Sequence, residues 1–388
     1  MKSIVIVSAS RTPIGSFNGA LGKIDAPKLG AHVISESLKR ASIKPDDVSQ
    51  VIMGCVLTAG IGQAPARQAA IFSGIPATVP AMTIGKVCGS GLKAVMLAKN
   101  AIEVGESEIV VAGGMENMSL APHLLEKSRG GYRLGHAQIS DSMIKDGLWD
   151  VYHQFHMGSA AELCAKKYRF SREEQDYFAK ESYRRAQRAE IEGLFKEEIA
   201  PFVIPHFGDA KGNSQTISED EEPQKFLPEK IPALRPAFEK EGTVTAANAS
   251  KINDGAAAVV LMTEELAKKR GFIDKNHRPL AKIIAQVDAA GPPEWFTTAP
   301  IAAIQKVLSI ANLSVKDIDL FEINEAFAVA ALAAIKDLSL DPKKVNVHGG
   351  AVALGHPIGA SGARILTTLL YAMKHHRAKR GLAAICIG

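Results

Sequence analysis

The feature that most constrains this chain is an internal repeat, because its last third resembles its first third. A segment ending at Gly54 resembles one ending at Asn324, an offset of 270 positions, and the tetrapeptide at Ser90 resembles the one at Ser361, an offset of 271. A nearly constant offset over two separated pairs indicates a duplication, and a unit of about 120 residues is too long for a solenoid repeat. The sequence therefore predicts two similar halves that pack together, with a site at their interface.

Within the first repeat, short apolar runs alternate with longer amphipathic ones. Residues 4–7, 51–53 and 109–111 are short apolar runs that predict buried strands, whereas residues 28–41 have helical spacing. Strands that alternate with helices are typical of a layered fold. We therefore predict the α/β class.

The middle of the chain has a different texture. Ser171 and Glu174 form a capping-box pattern before a charged helix, and six prolines fall between Pro201 and Pro236. Those prolines predict no regular structure there, and we interpret the region as an excursion that carries binding loops. We divide the chain into an N-terminal half at 1–118 completed by 246–271, an inserted loop domain that binds substrate at 119–245, and a C-terminal half at 272–388.

Composition excludes several classes of protein. The chain of 388 residues is 46% hydrophobic and 22% charged, which is typical of a globular protein and not of a disordered or membrane one. Its net charge of +5 is too small and dispersed for a nucleic-acid binder, although it would suit an anionic small substrate. Four cysteines are too few for a disulfide framework, which favours a reducing compartment.

No targeting or membrane-spanning segment is visible in the sequence. The apolar stretch at 4–7 is shorter than a signal-peptide core, and the alanine-rich run at 326–335 is far short of about 20 residues. We therefore expect a cytoplasmic protein with neither a membrane nor a nucleic acid as partner.

Cys88 is the first candidate for chemistry. It stands in a Cys-Gly-Ser-Gly sequence just before a helical pattern, so we expect it at a helix N-terminus. The helix dipole and free N–H groups there lower a thiol pKa and can hold a developing oxyanion. Burial as a structural cysteine is the usual alternative, but the neighbouring glycines would let a substrate approach the backbone. We predict that Cys88 is a nucleophile.

His356 lies in a second glycine-rich turn before a second helical pattern. A histidine in that place is a reasonable general base for a cysteine. Under the offset of 271, Cys88 corresponds to position 359, three residues after His356, so the two residues would occupy related turns of the two halves. His348 is the alternative base, but it precedes the turn and we expect it to be structural.

Two more candidates follow predicted strands. Cys386 follows an apolar run, where burial would be the default, and Asn324 ends a strand, where its amide could hold a polar group or a water. Glu325 could equally be a charge at a helix N-terminus. The four cysteines form no zinc-type pairing, and no Walker or dinucleotide glycine pattern is present, so we expect neither a metal nor a cofactor.

Together these motifs resemble those of the thiolase family, and the resemblance covers the whole chain. It implies an α/β thiolase fold of two duplicated βαβαβαββ halves, in a layered α-β-α-β-α arrangement with an inserted loop domain. Each motif alone is modest, but their order and spacing are specific. The motifs are the turns that contain Cys88 and His356, Gly113-Gly-Met-Glu-Asn-Met-Ser, His156-Met-Gly, Asn324-Glu-Ala-Phe and Cys386-Ile-Gly.

The resemblance, strongest to the short-chain members, implies a two-stage reaction. The Cys88 thiolate would attack acetyl-CoA while His356 takes the thiol proton, and CoA would leave an acetyl-enzyme. Cys386 would then deprotonate a second acetyl-CoA, whose carbanion attacks the acetyl group to give acetoacetyl-CoA; the reverse is thiolysis. The enolate oxygen would be held by His356 and an Asn324-bound water, and the thioester oxyanion by the N–H groups of Cys88 and Gly388.

The resemblance also implies residues along the acyl and pantetheine ends of the substrates. CoA and its thioesters would be substrates, not cofactors, and family likeness favours a homotetramer built as a dimer of dimers. The implied contact residues are Leu148, His156, Met157, Ala237, Phe238, Ala246, Ser250, Phe296, Ala326 and Phe327.

The chain departs from the family pattern in three places. Gly85 stands where the family usually has Asn or another small polar residue, so a supporting hydrogen bond would be lost or replaced by water. Phe296 stands where many biosynthetic members have Met, which opens the choice of acyl group to short branched ones. Family chains usually continue past Gly388 into a last strand, so we expect either a shortened chain or a C-terminal sheet without that edge strand.

Two other functions stay open at this point. A degradative 3-ketoacyl-CoA thiolase of broader chain length is an alternative, although His156-Met157 and the bulky Phe296 would shorten the acyl site. A thiolase-like lipid carrier without turnover is a second alternative, but a carrier would need neither cysteine.

Overall fold

The computed structural model describes residues 2–204, 214–273 and 278–388. Its strands are β1 (Ile4–Arg11), β2 (Gly15–Ser16), β3 (Gln50–Gly54), β4 (Ala81–Ile84), β5 (Val110–Asn117), β6 (His123–Leu125), β7 (Ile139–Asp141), β8 (Trp149–Asp150), β9 (Phe155–His156), β10 (Phe202–Ile204), β11 (Gln215–Ile217), β12 (Asn253–Thr263), β13 (Ala281–Lys282), β14 (Leu320–Ile323) and β15 (Gly381–Ala384). Its α-helices are α1 (Ala26–Arg40), α2 (Pro65–Phe72), α3 (Ser90–Val104), α4 (Met157–Tyr168), α5 (Arg172–Ile191), α6 (Glu264–Lys269), α7 (Ala299–Ala311), α8 (Ala328–Asp337), α9 (Ala351–Leu354) and α10 (Ile358–His375).

The N-terminal half is organised around a mixed sheet of seven strands. The strand order is β13–β1–β12–β5–β3–β4, with β2 pairing at one end of β12. The pairs β5–β3 and β3–β4 are parallel, whereas β12 is antiparallel to both of its long neighbours. Strand β12, which follows the excursion in sequence, therefore lies inside the N-terminal sheet between β1 and β5.

The groups of side chains that pack together in the hydrophobic cores define five layers. Helices α1 and α2 pack on one face of the large sheet through Val51 and Met53, and α3 and α10 pack on the other face through Ile52. Helix α10 also contacts the β14–β15 pair, whose other face, with Phe321 and Ile323, is covered by α4, α7 and α8. The alternation of side chains along each strand gives these two faces. The predicted α/β class and the α-β-α-β-α arrangement of layers are confirmed.

The repeat is visible in the structure. A 3₁₀ turn at Pro45–Asp47 precedes β3, and one at Val315–Asp317 precedes β14, so both keep the offset of 270. Strands β5 and β15 begin 271 positions apart, after α3 and α10 respectively. The C-terminal sheet is smaller: β14 pairs in parallel with β15, a bridge joins Phe321 to Val345, and β13 pairs with β1 of the N-terminal sheet.

The excursion contains more regular structure than its prolines predict. The capping box forms, since the Ser171 hydroxyl accepts the Glu174 N–H while the Glu174 carboxylate accepts the Ser171 N–H. The prediction of no regular structure around the prolines was wrong, because β10 and β11 form an antiparallel pair. Pro201 lies directly before the paired residues, where its missing N–H costs no ladder hydrogen bond. Residues 205–213 of this region lie outside the described residues.

No helix in the described parts of the chain combines the length and apolar character that crossing a membrane requires.

Candidate active site

The Cys88 turn leads directly into α3, as the sequence predicts. Val87 has a φ of 42°, a left-handed conformation that is strained for a β-branched residue and bends the chain sharply before the helix. The Ser90 hydroxyl closes the turn, since it accepts the Lys86 N–H at 2.8 Å and donates to the Val87 carbonyl at 2.6 Å. Cys88 is thus held two residues before the first residue of the helix.

Burial decides the protonation of the Cys88 thiol. Cys88 is 7% exposed, and burial raises its pKa to about 11, although its own N–H and that of Gly388 act to lower it. The expectation of a lowered pKa was therefore wrong. A thiolate that is buried away from water loses more solvation free energy than it gains from the helix terminus and the two N–H groups. The resting nucleophile is a neutral thiol with two backbone donors beside it.

The His356 turn is held by side chains of the N-terminal half. Gly355 has a φ of 104°, and the His356 N–H donates to the Asn253 Oδ1 atom at 2.9 Å. The Gly359 N–H donates to the Glu116 Oε2 atom at 2.8 Å. Strands β12 and β5 therefore fix the position of this turn from across the interface of the two halves.

The His356 ring presents one free nitrogen. Its Nδ1 atom lies 2.6 Å from the Ser361 hydroxyl, while its Nε2 atom is buried without a hydrogen-bond partner in the described residues. Burial, with a smaller effect of the Arg364 charge, lowers the pKa of His356 to about 3. The ring is therefore neutral near pH 7 and can accept a proton.

Close glycine contacts bring the two turns side by side. A Cβ atom on Gly91 would lie 2.9 Å from the Ala363 nitrogen, and one on Gly362 would lie 2.4 Å from the Leu92 nitrogen. Only glycine permits such an approach of two helix starts. Helices α3 and α10 thus begin against each other, and the related turns that precede them share one interface.

Cys386 and Asn324 join the Cys88 site. Burial and the neighbouring Cys88 raise the pKa of Cys386 well above its usual value, while the Asn324 amide and the Ala326 N–H act to lower it. Neither amide atom of Asn324 has a hydrogen-bond partner elsewhere in the described chain, although the residue is buried. An unpaired buried amide is costly, so this one is available for a water or a ligand. The structure therefore places Cys88, Cys386, Asn324 and Gly388 together.

Four of the candidate contact residues form an aromatic cluster. The rings of His156 and Phe238 stack with centroids 4.8 Å apart, and Phe238 lies edge-on to Phe327 at 6.0 Å. Phe296 packs edge-on against the same Phe327 ring at 6.4 Å and is 6% exposed. Bulky rings thus occupy the region assigned to the acyl group.

The other candidate contact residues lie outside this aromatic cluster and have different neighbours. Met157 lies against Gly388, the Ser250 N–H donates to the Ala326 carbonyl at 2.9 Å, and Leu148 packs on the apolar cluster that contains Cys88. Two contact residues are exposed: Ala237, and Ala246, which lines a separate cavity of about 170 Å³.

Two buried carboxylates were not identified as site residues from the sequence. Glu116 accepts the N–H groups of Val56, Leu57 and Gly359, and burial raises its pKa to about 7. Its place in the Gly113-Gly-Met-Glu motif was the only signal. Glu325, considered above as a helix-terminal charge, is fully buried instead and accepts from the side chains of Asn346 and Ser182 and from a backbone N–H of α9.

His348 lies away from the two cysteines. Its ring packs edge-on against Phe195, and its Nε2 atom is 3.3 Å from that of His376. It therefore takes part in packing at the end of α10, which agrees with the structural role expected for it.

A cavity of about 920 Å³ lies behind the nucleophile turn. It is lined by residues of α3, α10, the 280–293 segment and β15, and none of Cys88, His356, Cys386 or Asn324 lines it. In the parts of the chain that the structure describes, no group of three or more His, Cys, Asp or Glu side chains could hold a metal ion.

Comparisons with known proteins identify the family. The sequence matches the family described as "Thiolase, N-terminal domain" over residues 4–265 and "Thiolase, C-terminal domain" over residues 277–388. It is 56% identical to an acetyl-CoA acetyltransferase of Cupriavidus necator and 52% identical to one of Escherichia coli, over 100% of this chain and 97% of each relative. The crystal structure of the Acat5 thiolase from Ascaris suum in complex with coenzyme A superposes with a TM-score of 0.92 at 45% identity, covering 100% of this chain and 97% of that one. This chain therefore belongs to the thiolase family.

Proposed function

We propose that this protein is an acetyl-CoA acetyltransferase, which condenses two acetyl-CoA molecules to acetoacetyl-CoA and CoA and catalyses the reverse thiolysis. The observation that carries this function is the full-length identity of about 50% to relatives with that name. The cluster of Cys88, Cys386, Asn324 and Gly388 supports it, because acyl transfer needs a nucleophile, a base and oxyanion donors in one place.

In the first stage, Cys88 attacks the thioester carbon. Its thiol is neutral at rest, so the proton passes to the Nε2 atom of His356 as the C–S bond forms. The N–H groups of Cys88 and Gly388 stabilise the oxyanion, and the departing CoA thiolate takes the proton from His356. The products are acetyl-Cys88 and free CoA.

In the second stage, Cys386 acts as a base toward a second acetyl-CoA. Its thiolate removes a proton from the α-carbon, and His356 with an Asn324-bound water holds the enolate oxygen. The carbanion attacks acetyl-Cys88, acetoacetyl-CoA leaves, and the proton held by Cys386 returns to Cys88.

The aromatic cluster favours short acyl groups over long ones. Phe296 and Phe327 are buried and in contact with each other, in the region that the family resemblance assigns to the acyl group. The test is thiolysis of acetoacetyl-CoA, 2-methylacetoacetyl-CoA and a long-chain 3-ketoacyl-CoA. We expect acetoacetyl-CoA to have the highest kcat/KM; a preference for the long-chain substrate would support the degradative alternative.

Half-reactions test the two cysteines separately. Cys88→Ala should abolish labelling by radiolabelled acetyl-CoA, whereas Cys386→Ser should still form the acetyl-enzyme but fail to condense it. Cys164→Ala is the matched control, since Cys164 is another buried free cysteine and should leave labelling intact. Label retained in Cys88→Ala, or equal losses in both half-reactions of Cys386→Ser, would contradict these roles.

We also propose a homotetramer built as a dimer of dimers. Apolar side chains at Leu134, Ile139 and Tyr152 are 100%, 69% and 76% exposed on the excursion, and contact with another copy of the chain would cover them. Light scattering should give four times the mass of one chain; the mass of a monomer would contradict the proposal.

We propose a cytoplasmic location, because two reacting thiols need a reducing environment. All four cysteines are buried and unpaired. Fractionation of the source cells, with the protein absent from the cytoplasmic fraction, would contradict this location.

A further inference from the structure

The His356 turn contains a hydroxyl group that the proposed reaction does not use. Ser361 is fully buried, and its Oγ atom lies 2.6 Å from the His356 Nδ1 atom and 2.9 Å from the Pro357 carbonyl oxygen. The same carbonyl accepts the N–H groups of Ala360 and Ser361, as carbonyls at helix starts commonly do. The hydroxyl therefore stands between the ring and the first turn of α10.

One hydrogen on this hydroxyl allows two arrangements. In the first, Ser361 donates to the Pro357 carbonyl and accepts from an N–H at Nδ1 of His356. In the second, Ser361 donates to Nδ1, which leaves the ring hydrogen on Nε2. The second arrangement puts two oxygen atoms 2.9 Å apart with no hydrogen between them, so it loses a hydrogen bond and adds a repulsion.

The equivalent serine of the other half provides an example of the first arrangement. Ser90 is the equivalent residue of the other half, and the Lys86 N–H donates to its hydroxyl. A backbone N–H cannot accept, so the Ser90 hydrogen must go to the Val87 carbonyl, at 2.6 Å. Ser90 is the first residue of α3 and Ser361 is the fourth residue of α10, and each hydroxyl lies within hydrogen-bond distance of a carbonyl oxygen three or four residues before it. When the Ser361 hydrogen goes to the Pro357 carbonyl, as the distance of 2.9 Å between the two oxygens favours, the His356 ring donates from Nδ1.

We propose that Ser361 is a positioning residue, which keeps the ring hydrogen of His356 on Nδ1 and so leaves Nε2 as the proton acceptor for Cys88. The proposal rests on the proposed function for its consequence, though not for the tautomer itself. When Nε2 takes the thiol proton, the S–H bond breaks and the N–H bond forms, and the Nδ1–H to Oγ hydrogen bond persists and becomes charge-assisted. The same proton then returns from Nε2 to the CoA thiolate.

Nitrogen NMR of the intact protein labelled with ring-¹⁵N histidine tests the tautomer directly. The His356 signals, assigned by their loss in His356→Asn, should show a protonated Nδ1 and a bare Nε2 near pH 7.5. Ser361→Ala should mix or reverse the two tautomers, and Ser361→Thr, which keeps the hydroxyl, should restore the wild-type pattern. Ser90→Ala removes the equivalent hydroxyl of the other half and should leave the His356 signals unchanged.

The wild-type spectrum alone can overturn the proposal. A hydrogen on Nε2 in the unaltered protein contradicts it whether or not any variant folds, and so does an unchanged tautomer in a folded Ser361→Ala protein. We further expect Ser361→Ala to slow acetylation of Cys88 about tenfold with little change in KM, as the loss of one hydrogen bond to the base implies. A protein with the Nδ1–H tautomer but no thiolase activity would contradict the proposed function and leave the tautomer assignment standing.

Discussion

The Cys88 turn and the His356 turn are products of one duplication, yet each supplies what the other lacks. At the offset of 271, His356 corresponds to Gly85 and Cys88 corresponds to Gly359, while a serine follows in both. The N-terminal turn thus has the nucleophile and a glycine in place of the base, and the C-terminal turn has the reverse. Neither half alone therefore contains both the nucleophile and the base.

The two turns also differ in what holds them. The N-terminal turn is closed by its own residues, Lys86 and Ser90. The C-terminal turn depends on Asn253 and Glu116, which lie more than 100 positions away in strands of the other half. The base is therefore positioned only when the two halves are packed together.

The largest expected effect concerns the unequal chemistry of the two turns. His356→Ala should slow acetylation of Cys88 by about 10²–10⁴-fold, as loss of a general base does. Adding Gly85→His to it should not restore the rate, because the Ser90 hydroxyl closes its own turn through the Lys86 N–H and the Val87 carbonyl and is not arranged to orient an imidazole. Single-turnover labelling measures this; recovery in the double variant would show that the turns are interchangeable.

The next effect is on stability, and it compares Gly359 of the C-terminal turn with Gly85 of the N-terminal turn. A Cβ atom on Gly359 would lie 2.5 Å from the Glu116 Oε2 atom, whereas nothing lies within 4 Å of one on Gly85. Gly359→Ala should therefore lower the free energy of unfolding by about 1–3 kcal/mol, the usual cost of overpacking.

Its matched control, Gly85→Ala, should change the free energy of unfolding by less than about 0.5 kcal/mol. Denaturant unfolding of both variants gives the comparison. Equal losses would mean that the two turns are equally crowded, against the geometry.

A further prediction concerns the pH dependence of stability that Glu116 contributes. Burial raises the pKa of this carboxyl from 4.5 to about 7, so the folded state binds its proton more tightly than the unfolded state does. That contribution to stability is fully present below pH 4.5 and is lost as the pH rises through 7. Relative to the wild type, Glu116→Gln should gain free energy of unfolding across this window, at no more than about 1.4 kcal/mol per pH unit.

Urea unfolding at several pH values gives the free energy of unfolding as a function of pH for the wild type and for Glu116→Gln. The comparison within one pair of proteins cancels the opposite trend of the buried histidines, whose lowered pKa makes them destabilise the fold in acid. Parallel curves between pH 4.5 and 7 would contradict a raised pKa for Glu116.

Much of this architecture could be predicted from the sequence because its signals are local. Glycine-rich turns before helical patterns located Cys88 and His356, and the constant offset predicted the two halves that the structure contains. The structure of the excursion was harder to predict, because a proline indicates only where an N–H is missing and does not indicate the short strands between prolines.

The tertiary structure alone decided how these residues are protonated and held. A helix N-terminus predicts a lowered thiol pKa for Cys88, but the pKa depends on how much water packing removes, and here burial raises it to about 11. The contacts of Glu116 and Asn253 with the His356 turn could not be read from the chain either. They join positions more than 100 residues apart, and only the packing of one half on the other brings those positions together.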